Sequence, residues 1–198
     1  PIIGTFTVSN ILAAVAALDR VGYPLERSIE GLADFTGPEG RVQFVPVDAD
    51  FRVVIDAGHK PEAINALLCA LRPATPGRII TVIGSNGNRD AHKRPLMGRF
   101  SAMASDIVVV VDVLRFSSTV TDRVAEGETV PLDAAAHAVS LNGARVAAHA
   151  AAAAHSPVVL LGCLRNAAAV AREVLAEQTR RAARTSVAVI AAGELTGR

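Results

Sequence analysis

The apolar residues of this chain recur in two patterns. Leu25, Ile29 and Leu32 follow Pro24 at helical spacing, and Ile64, Leu67, Leu68 and Leu71 follow Pro61 in the same way. These spacings predict amphipathic helices over 25–33 and from residue 61, with a proline at each start. Residues 78–83, 107–111, 158–161 and 186–191 are instead short, almost continuous apolar runs rich in β-branched residues. Strands without alternation are buried on both faces, and strands exchanging with helices imply a parallel sheet between helical layers. Two further strands are predicted at 42–47 and 51–55, joined at 48–50, with a short one at 129–132. Helices are expected over 11–18, capped by Ser9 or Asn10, and over 95–104, 116–126, 144–154 and 166–181. Residues 134–139 fit either state, and Asn142-Gly143 marks a turn. The expected fold is α/β, a mostly parallel Rossmann-like sheet flanked by helices. Gly37-Pro38-Glu39-Gly40 is a strong break and the first domain boundary.

Composition refines this picture. Hydrophobic residues make up 51% of the 198 residues but aromatics only 4%, so Ala, Val, Leu and Ile must build the core. A helix presenting mainly Ala buries little area per contact. The second half, with its run of alanines at 150–154, is therefore expected to pack less firmly. The formal net charge is +1, without the basic excess of a nucleic-acid binder. Cys69 and Cys163 lie far apart in apolar surroundings, which predicts two buried free thiols and a reducing, cytoplasmic setting. No signal-peptide pattern and no apolar run of membrane-spanning length occurs, so no membrane partner is expected. A first residue other than Met is what an excised or processed piece would show. The oligomeric state is left open.

Four segments in the first half carry a family resemblance. They are Gly4-Thr5-Phe6-Thr7-Val8-Ser9-Asn10-Ile11-Leu12-Ala13-Ala14, Phe35-Thr36-Gly37-Pro38-Glu39-Gly40-Arg41-Val42-Gln43, Asp56-Ala57-Gly58-His59-Lys60-Pro61-Glu62, and Gly84-Ser85-Asn86-Gly87-Asn88-Arg89-Asp90 with Lys93-Arg94-Pro95-Leu96-Met97-Gly98. In this order they resemble the Mur ligases, in the branch adding meso-diaminopimelate or lysine, from the last helices of the central ATPase domain into the C-terminal domain. The resemblance spans about 4–111. It implies an ATP-dependent ligase of peptidoglycan precursors, with residues 1–37 a helical remnant of the central domain and 38–111 part of the C-terminal one. Arg41, just after the hinge, can reach a phosphate or stand as a hinge cation. Asp56 ends a strand, where open α/β sheets bind ligands, and can be a ligand contact or a capping carboxylate. His59 can serve the nucleotide or be a loop histidine. Asn88, Arg89, Lys93 and Arg94 offer an anion-binding loop or a solvated basic turn. His92 is expected to face solvent, and Ala57 and Gly58 replace the family's usual Tyr and Ala.

Beyond residue 107 the pattern changes. Asp112-Val113-Leu114-Arg115-Phe116-Ser117-Ser118-Thr119, Ser140-Leu141-Asn142-Gly143, Gly162-Cys163-Leu164-Arg165-Asn166 and the segment 187–194 resemble the 2-phosphosulfolactate phosphatases. The resemblance implies that 112–198 is a phosphatase-like α/β segment, joined to the ligase-like half through the strand at 107–111. Asp112 can then hold Mg²⁺ and Arg115 a phosphate, or the two can form a strand-end ion pair. Ser117, Thr119, Asn142 and Asn166 can bind an anion or act as ordinary caps and turn residues.

Each pattern lacks groups its chemistry requires. No Gly-x-x-x-x-Gly-Lys-[Ser/Thr] phosphate loop occurs, and Asp112-Val113-Leu114-Arg115 stands where the ligases have Asp-Asn-Pro-Arg. The expected partner is a small-molecule nucleotide or a phosphorylated acid, with ATP bound weakly and Mg²⁺ as a further cofactor. Three expectations follow: an incomplete ligase with residual nucleotide binding, a Mg²⁺-dependent phosphatase, or a composite chain that folds without catalysing a reaction.

Overall fold

A computed structural model describes residues 3–85, 90, 92–112, 116–130, 143–155, 157–164, 166–181 and 185–190, with backbone alone at 116, 181 and 185–190. Two helices, α1 (Thr5–Arg20) and α2 (Leu25–Leu32), form a hairpin ahead of the sheet. The order then runs β1 (Gln43–Val45), β2 (Val53–Asp56), α3 (Pro61–Leu71), β3 (Arg78–Ile83), α4 (Lys93–Ala104), β4 (Ile107–Val111), α5 (Phe116–Ala125), α6 (Gly143–Ala151), β5 (Val158–Gly162), α7 (Ala167–Arg181) and β6 (Thr185–Ile190).

The strands make one six-stranded sheet in the order β1-β2-β6-β3-β4-β5. Only β1 is antiparallel, paired with β2 through Phe44 opposite Val54. The last strand, β6, lies between β2 and β3, with Asp56 opposite Ile190 and Ile190 opposite Ile83. A strand from the second half of the chain thus sits inside the sheet of the first, and the two halves share one layer. The registers Ile83–Val110 and Val111–Gly162 carry the same edge on through β4 and β5. The C-terminal ends of all five parallel strands therefore line one rim, the place where open α/β sheets bind ligands.

Both faces of the central strands are covered, which is why their sequences do not alternate. Val54, Ile79, Ile83, Val108 and Val110 point to one face, under α3, α4 and α6. Ile80, Ile107 and Val109 point to the other, where Val170 and Val174 of α7 pack on them. Leu67, Leu68, Ile79, Ile80, Met97 and Ile107 are all almost fully buried. Each such side chain contributes roughly 1.5–3 kcal/mol. Arg78, at the start of β3, fastens α7 to the sheet: its guanidinium donates to the Glu177 carbonyl at 2.8 Å and the Gln178 carbonyl at 3.2 Å.

Several expectations change. The first helix begins at Thr5, preceded by Gly4 at φ 86°, and has no side-chain cap. The Thr7 and Ser9 hydroxyls donate to the Ile3 and Thr5 carbonyls inside the first turns, so Ser9 is not a cap. Cys69 is exposed and only Cys163 is buried. The buried face of α3 is formed by Ile64, Leu67, Leu68 and Leu71, which turns residue 69 outward. Thr129 and Val130 are not in a strand, and 131–142, including the ambiguous stretch 134–139, lie outside the described residues. The Ala-rich helix is not loosely held. Ala144, Val146, Ala147 and Ala150 of α6 are at most 3% exposed, and a Cβ at Gly98 of α4 would strike the Val146 carbonyl. Small side chains let the two backbones approach, which compensates for the small area each buries.

The hairpin is different. Neither α1 nor α2 has a buried residue, and Leu12, Val21 and Ile29 are exposed. No described helix is long and apolar enough to cross a membrane.

Candidate functional site

Two groups of polar residues lie along the C-terminal rim. The first surrounds the end of β2. The hinge between the hairpin and the sheet turns at Gly37 and Gly40, whose φ values are 85° and 67°, in the region that favours glycine. Val42 also has a positive φ, 48°, unusual for a β-branched residue. It is held there by Asp56, whose Oδ2 accepts from the Val42 N–H at 3.0 Å. The other carboxylate oxygen, Oδ1, accepts from the Gly58 N–H at 2.7 Å. Asp56 is 8% exposed. A Cβ at Gly58 would come within 2.7 Å of that oxygen, so glycine at this position leaves room for the contact. The Ala57 N–H donates to the Gly40 carbonyl at 2.7 Å, and the Gly40 N–H to the Gln43 side chain at 2.9 Å.

This hinge, α1 and α3 enclose a cavity of about 590 Å³. Its walls are mainly apolar, Ile11 and Leu67 among them, and its polar groups include Thr7, Asn10, Arg41 and Asp56. Positions 7, 10, 11 and 14 share one face of α1 by their spacing and all line the cavity. Arg41 is exposed at this site. His59 is exposed, with Nδ1 3.3 Å from the Ala57 carbonyl oxygen, and does not line the cavity.

The second group lies at the end of β4, three strand spacings away across β6 and β3, or about 14 Å. The Asp112 Oδ2 accepts from the Gly143 N–H at the start of α6, at 3.1 Å. The Asp112 N–H donates to the Ser117 hydroxyl at 3.2 Å, and that hydroxyl donates to the Val110 carbonyl at 3.2 Å. Arg94, in the first turn of α4, is 2% exposed. Burial lowers its pKa from the ordinary arginine value, the Arg145 charge lowers it further, and Asp112 and Asp90 act the other way. Arginine remains charged under such shifts. Lys93, the first residue of α4, is half-buried and His92 is exposed. Asn88, Arg89, Arg115 and Asn142 lie outside the described residues.

Asp112 caps the start of α6. A carboxylate at a helix N-terminus, with Arg94 as an electrostatic neighbour, sits where anions are favoured. Among the described residues no three His, Cys, Asp or Glu side chains converge to hold a metal ion. Asn166 is likewise engaged: its Oδ1 accepts from the Cys163 N–H at 2.7 Å, and its Nδ2 donates to the Leu161 carbonyl at 2.8 Å and to Thr121 at 3.2 Å. Thr119 faces solvent. Ser117 and Asn166 are thus both engaged in hydrogen bonds within the fold.

Thr7, Asn10 and Arg145 are not among the site residues expected from the sequence. Thr7 and Asn10 could have been found from their 3–4 spacing within the first motif. Nothing in the Ala-rich sequence around Arg145 marks it.

Residues 40–128 match the family model described as Mur ligase, glutamate ligase domain. The match crosses the expected join at 107–112, and no comparison supports the phosphatase-like resemblance of 108–198. Over 112 residues the chain is 46% identical to the UDP-N-acetylmuramoyl-L-alanyl-D-glutamate–2,6-diaminopimelate ligase of Thermosynechococcus vestitus, covering 56% of this chain and 22% of that protein. The ligase of the same name from Pseudomonas aeruginosa is 42% identical over 112 residues, 57% of this chain and 23% of that protein. The chain thus spans about a fifth of the length of the curated relatives it matches. In fold it resembles Mycobacterium tuberculosis folylpolyglutamate synthase solved with ADP and AMPPCP, at a TM-score of 0.64 and 21% identity, over 96% of this chain and 38% of that one. MurF from Acinetobacter baumannii gives a TM-score of 0.62 at 20% identity, over 94% of this chain and 35% of that one. The chain is therefore similar to the Mur-type ligases in sequence over residues 40–128 and in fold over nearly its whole length.

Proposed function

We propose that these residues are part of a Mur-type ligase of peptidoglycan precursors, and that they form the nucleotide-binding half-site between its central and C-terminal domains. The hairpin of residues 1–37 is then the end of the central domain, and the sheet that follows is the C-terminal one. The observation that carries this is the cavity of about 590 Å³, because most of its lining comes from the first three of the four ligase-like motifs. Helix α1 supplies Thr7 and Asn10, the hinge supplies Arg41, and the end of β2 supplies Asp56. A pocket with apolar walls and a few convergent polar groups suits a planar base. Arg41 supplies the charge that a phosphate requires.

Bound ATP would supply the phosphoryl group that activates a carboxylate for amide formation. This chain's part in that chemistry is to exclude water around the base and to orient the phosphates through Arg41. Mg²⁺ would enter with the phosphates, since it is commonly held by few carboxylates together with substrate phosphates. The 198 residues contain no phosphate-cradling loop of the Gly-x-x-x-x-Gly-Lys-[Ser/Thr] kind. By themselves they bind nucleotide without making an amide, and the cytoplasm is the expected setting.

Calorimetric titration with Mg·ATP tests this. Binding is expected below millimolar ATP, and Arg41→Ala should weaken it about tenfold, or roughly 1.4 kcal/mol. No binding at millimolar ATP would remove the proposal, as would an Arg41→Ala variant that binds like the parent. Mg²⁺-dependent phosphate release from phosphosulfolactate would replace it with a phosphatase.

A further inference from the structure

We infer that Phe35 is the platform on which the base of the bound nucleotide stacks. The inference deepens the nucleotide-binding proposal above and rests on it. The 198 residues contain six Phe, one Tyr and no Trp. Two of these rings, Phe6 from α1 and Phe35 from the hinge, line the cavity. Phe44 and Phe100, by contrast, pack against the main core cluster. Phe35 is 47% exposed. A large apolar ring left half in water at an apolar cavity is surface that a planar ligand would cover.

The two rings at the cavity are not equivalent. A Cβ at Gly4 would lie 2.4 Å from Phe6 Cε1, so the Phe6 ring rests against its own first turn. Phe35 follows α2, where its N–H donates to the Leu32 carbonyl at 3.3 Å. The chain then turns at Gly37 and Gly40, both at positive φ, and brings Arg41 to the same cavity. One short segment thus presents a flat apolar face and a cation. Those are the two features that a base and its phosphates require of a site. Stacking on an aromatic face is worth about tenfold or more in affinity.

Proton NMR of Mg·ATP with the parent protein reads the contact directly. The adenine H2 and H8 resonances should move upfield on binding, because protons over an aromatic face are shielded. ATP that binds without this shift overturns the inference, whatever the variants do.

Calorimetry of two variants then assigns the shift to Phe35. Phe35→Leu keeps the apolar bulk beside the hinge but removes the aromatic face, and should weaken Mg·ATP binding by about tenfold. Phe35→Tyr keeps the face and should bind within about twofold of the parent. If Phe35→Leu binds like the parent, the ring only fills space. If Phe35→Tyr is as weak as Phe35→Leu, the aromatic face is not what counts. Either result overturns the inference. A parent that binds no ATP sinks the proposed function and this inference with it, whereas binding with an unshifted adenine sinks the inference alone.

Discussion

Gly98→Ala is expected to lower the stability of the protein by about 3 kcal/mol. A Cβ at this position would run into the Val146 carbonyl and lie 3.1 Å from the Ala150 nitrogen. Those atoms are the backbone of α6 and cannot rotate away as a flexible side chain would. Either α4 and α6 separate, opening voids beside Met97 and Val146, or the helix carbonyl tilts. Each costs more than the roughly 1 kcal/mol that alanine contributes in helix propensity over glycine. Gly31 in α2 provides the control, because nothing lies within 4 Å of a Cβ there. Gly31→Ala should leave stability unchanged or raise it slightly. Urea unfolding of the two variants should show opposite or strongly unequal shifts, and equal shifts would contradict the close α4–α6 approach.

Arg78→Met is the second large effect, expected to cost about 2–3 kcal/mol. Methionine keeps much of the apolar stem but removes two hydrogen bonds to the last turns of α7. The Glu177 and Gln178 carbonyls would lose a charged partner at the negative end of a helix. Part of that loss is offset because the buried guanidinium no longer has to be desolvated. Arg78→Lys should recover about half, since an ammonium keeps the charge but not the forked geometry. The loss should appear as faster amide exchange in α7 before the rest of the protein opens. Uniform loss across the sheet would mean that Arg78 is not a local fastener.

The elements most accurately readable from sequence were those under the simplest constraint. The strands at 78–83 and 107–111 were recovered to the residue, because burial on both faces leaves an unbroken β-branched run. The start of α1 was not, because Ser9 and Asn10 look like cap residues while the Ser9 hydroxyl bonds back within the helix. The place of β6 between β2 and β3 had no local signal, since sheet neighbours are set by a crossover from the far end of the chain. Treating Ala as a weak packing residue also missed its other property, that it lets helix backbones meet at Gly98.

The site was legible to a similar depth. Arg41 and Asp56 stood out because each belongs to a motif, and both line the cavity. Spacing could not reveal that Asp56 directs its oxygens to backbone N–H groups, because that depends on a hinge fourteen residues earlier. Arg94 read as part of a basic loop or turn, yet its position in the first turn of α4 places it in the interior beside Asp112. The motifs identified which residues share the rim, but not what each of them contacts there.

Backbone amide NMR during a Mg·ATP titration tests the central claim most directly. If the cavity between α1, the hinge and α3 takes the nucleotide, saturable shifts should gather at Thr7, Asn10, Arg41 and Gly58, and the amides around Ser117 and Gly143 should change little. Shifts gathered around Ser117 and Gly143 instead, or none at millimolar nucleotide, would contradict it.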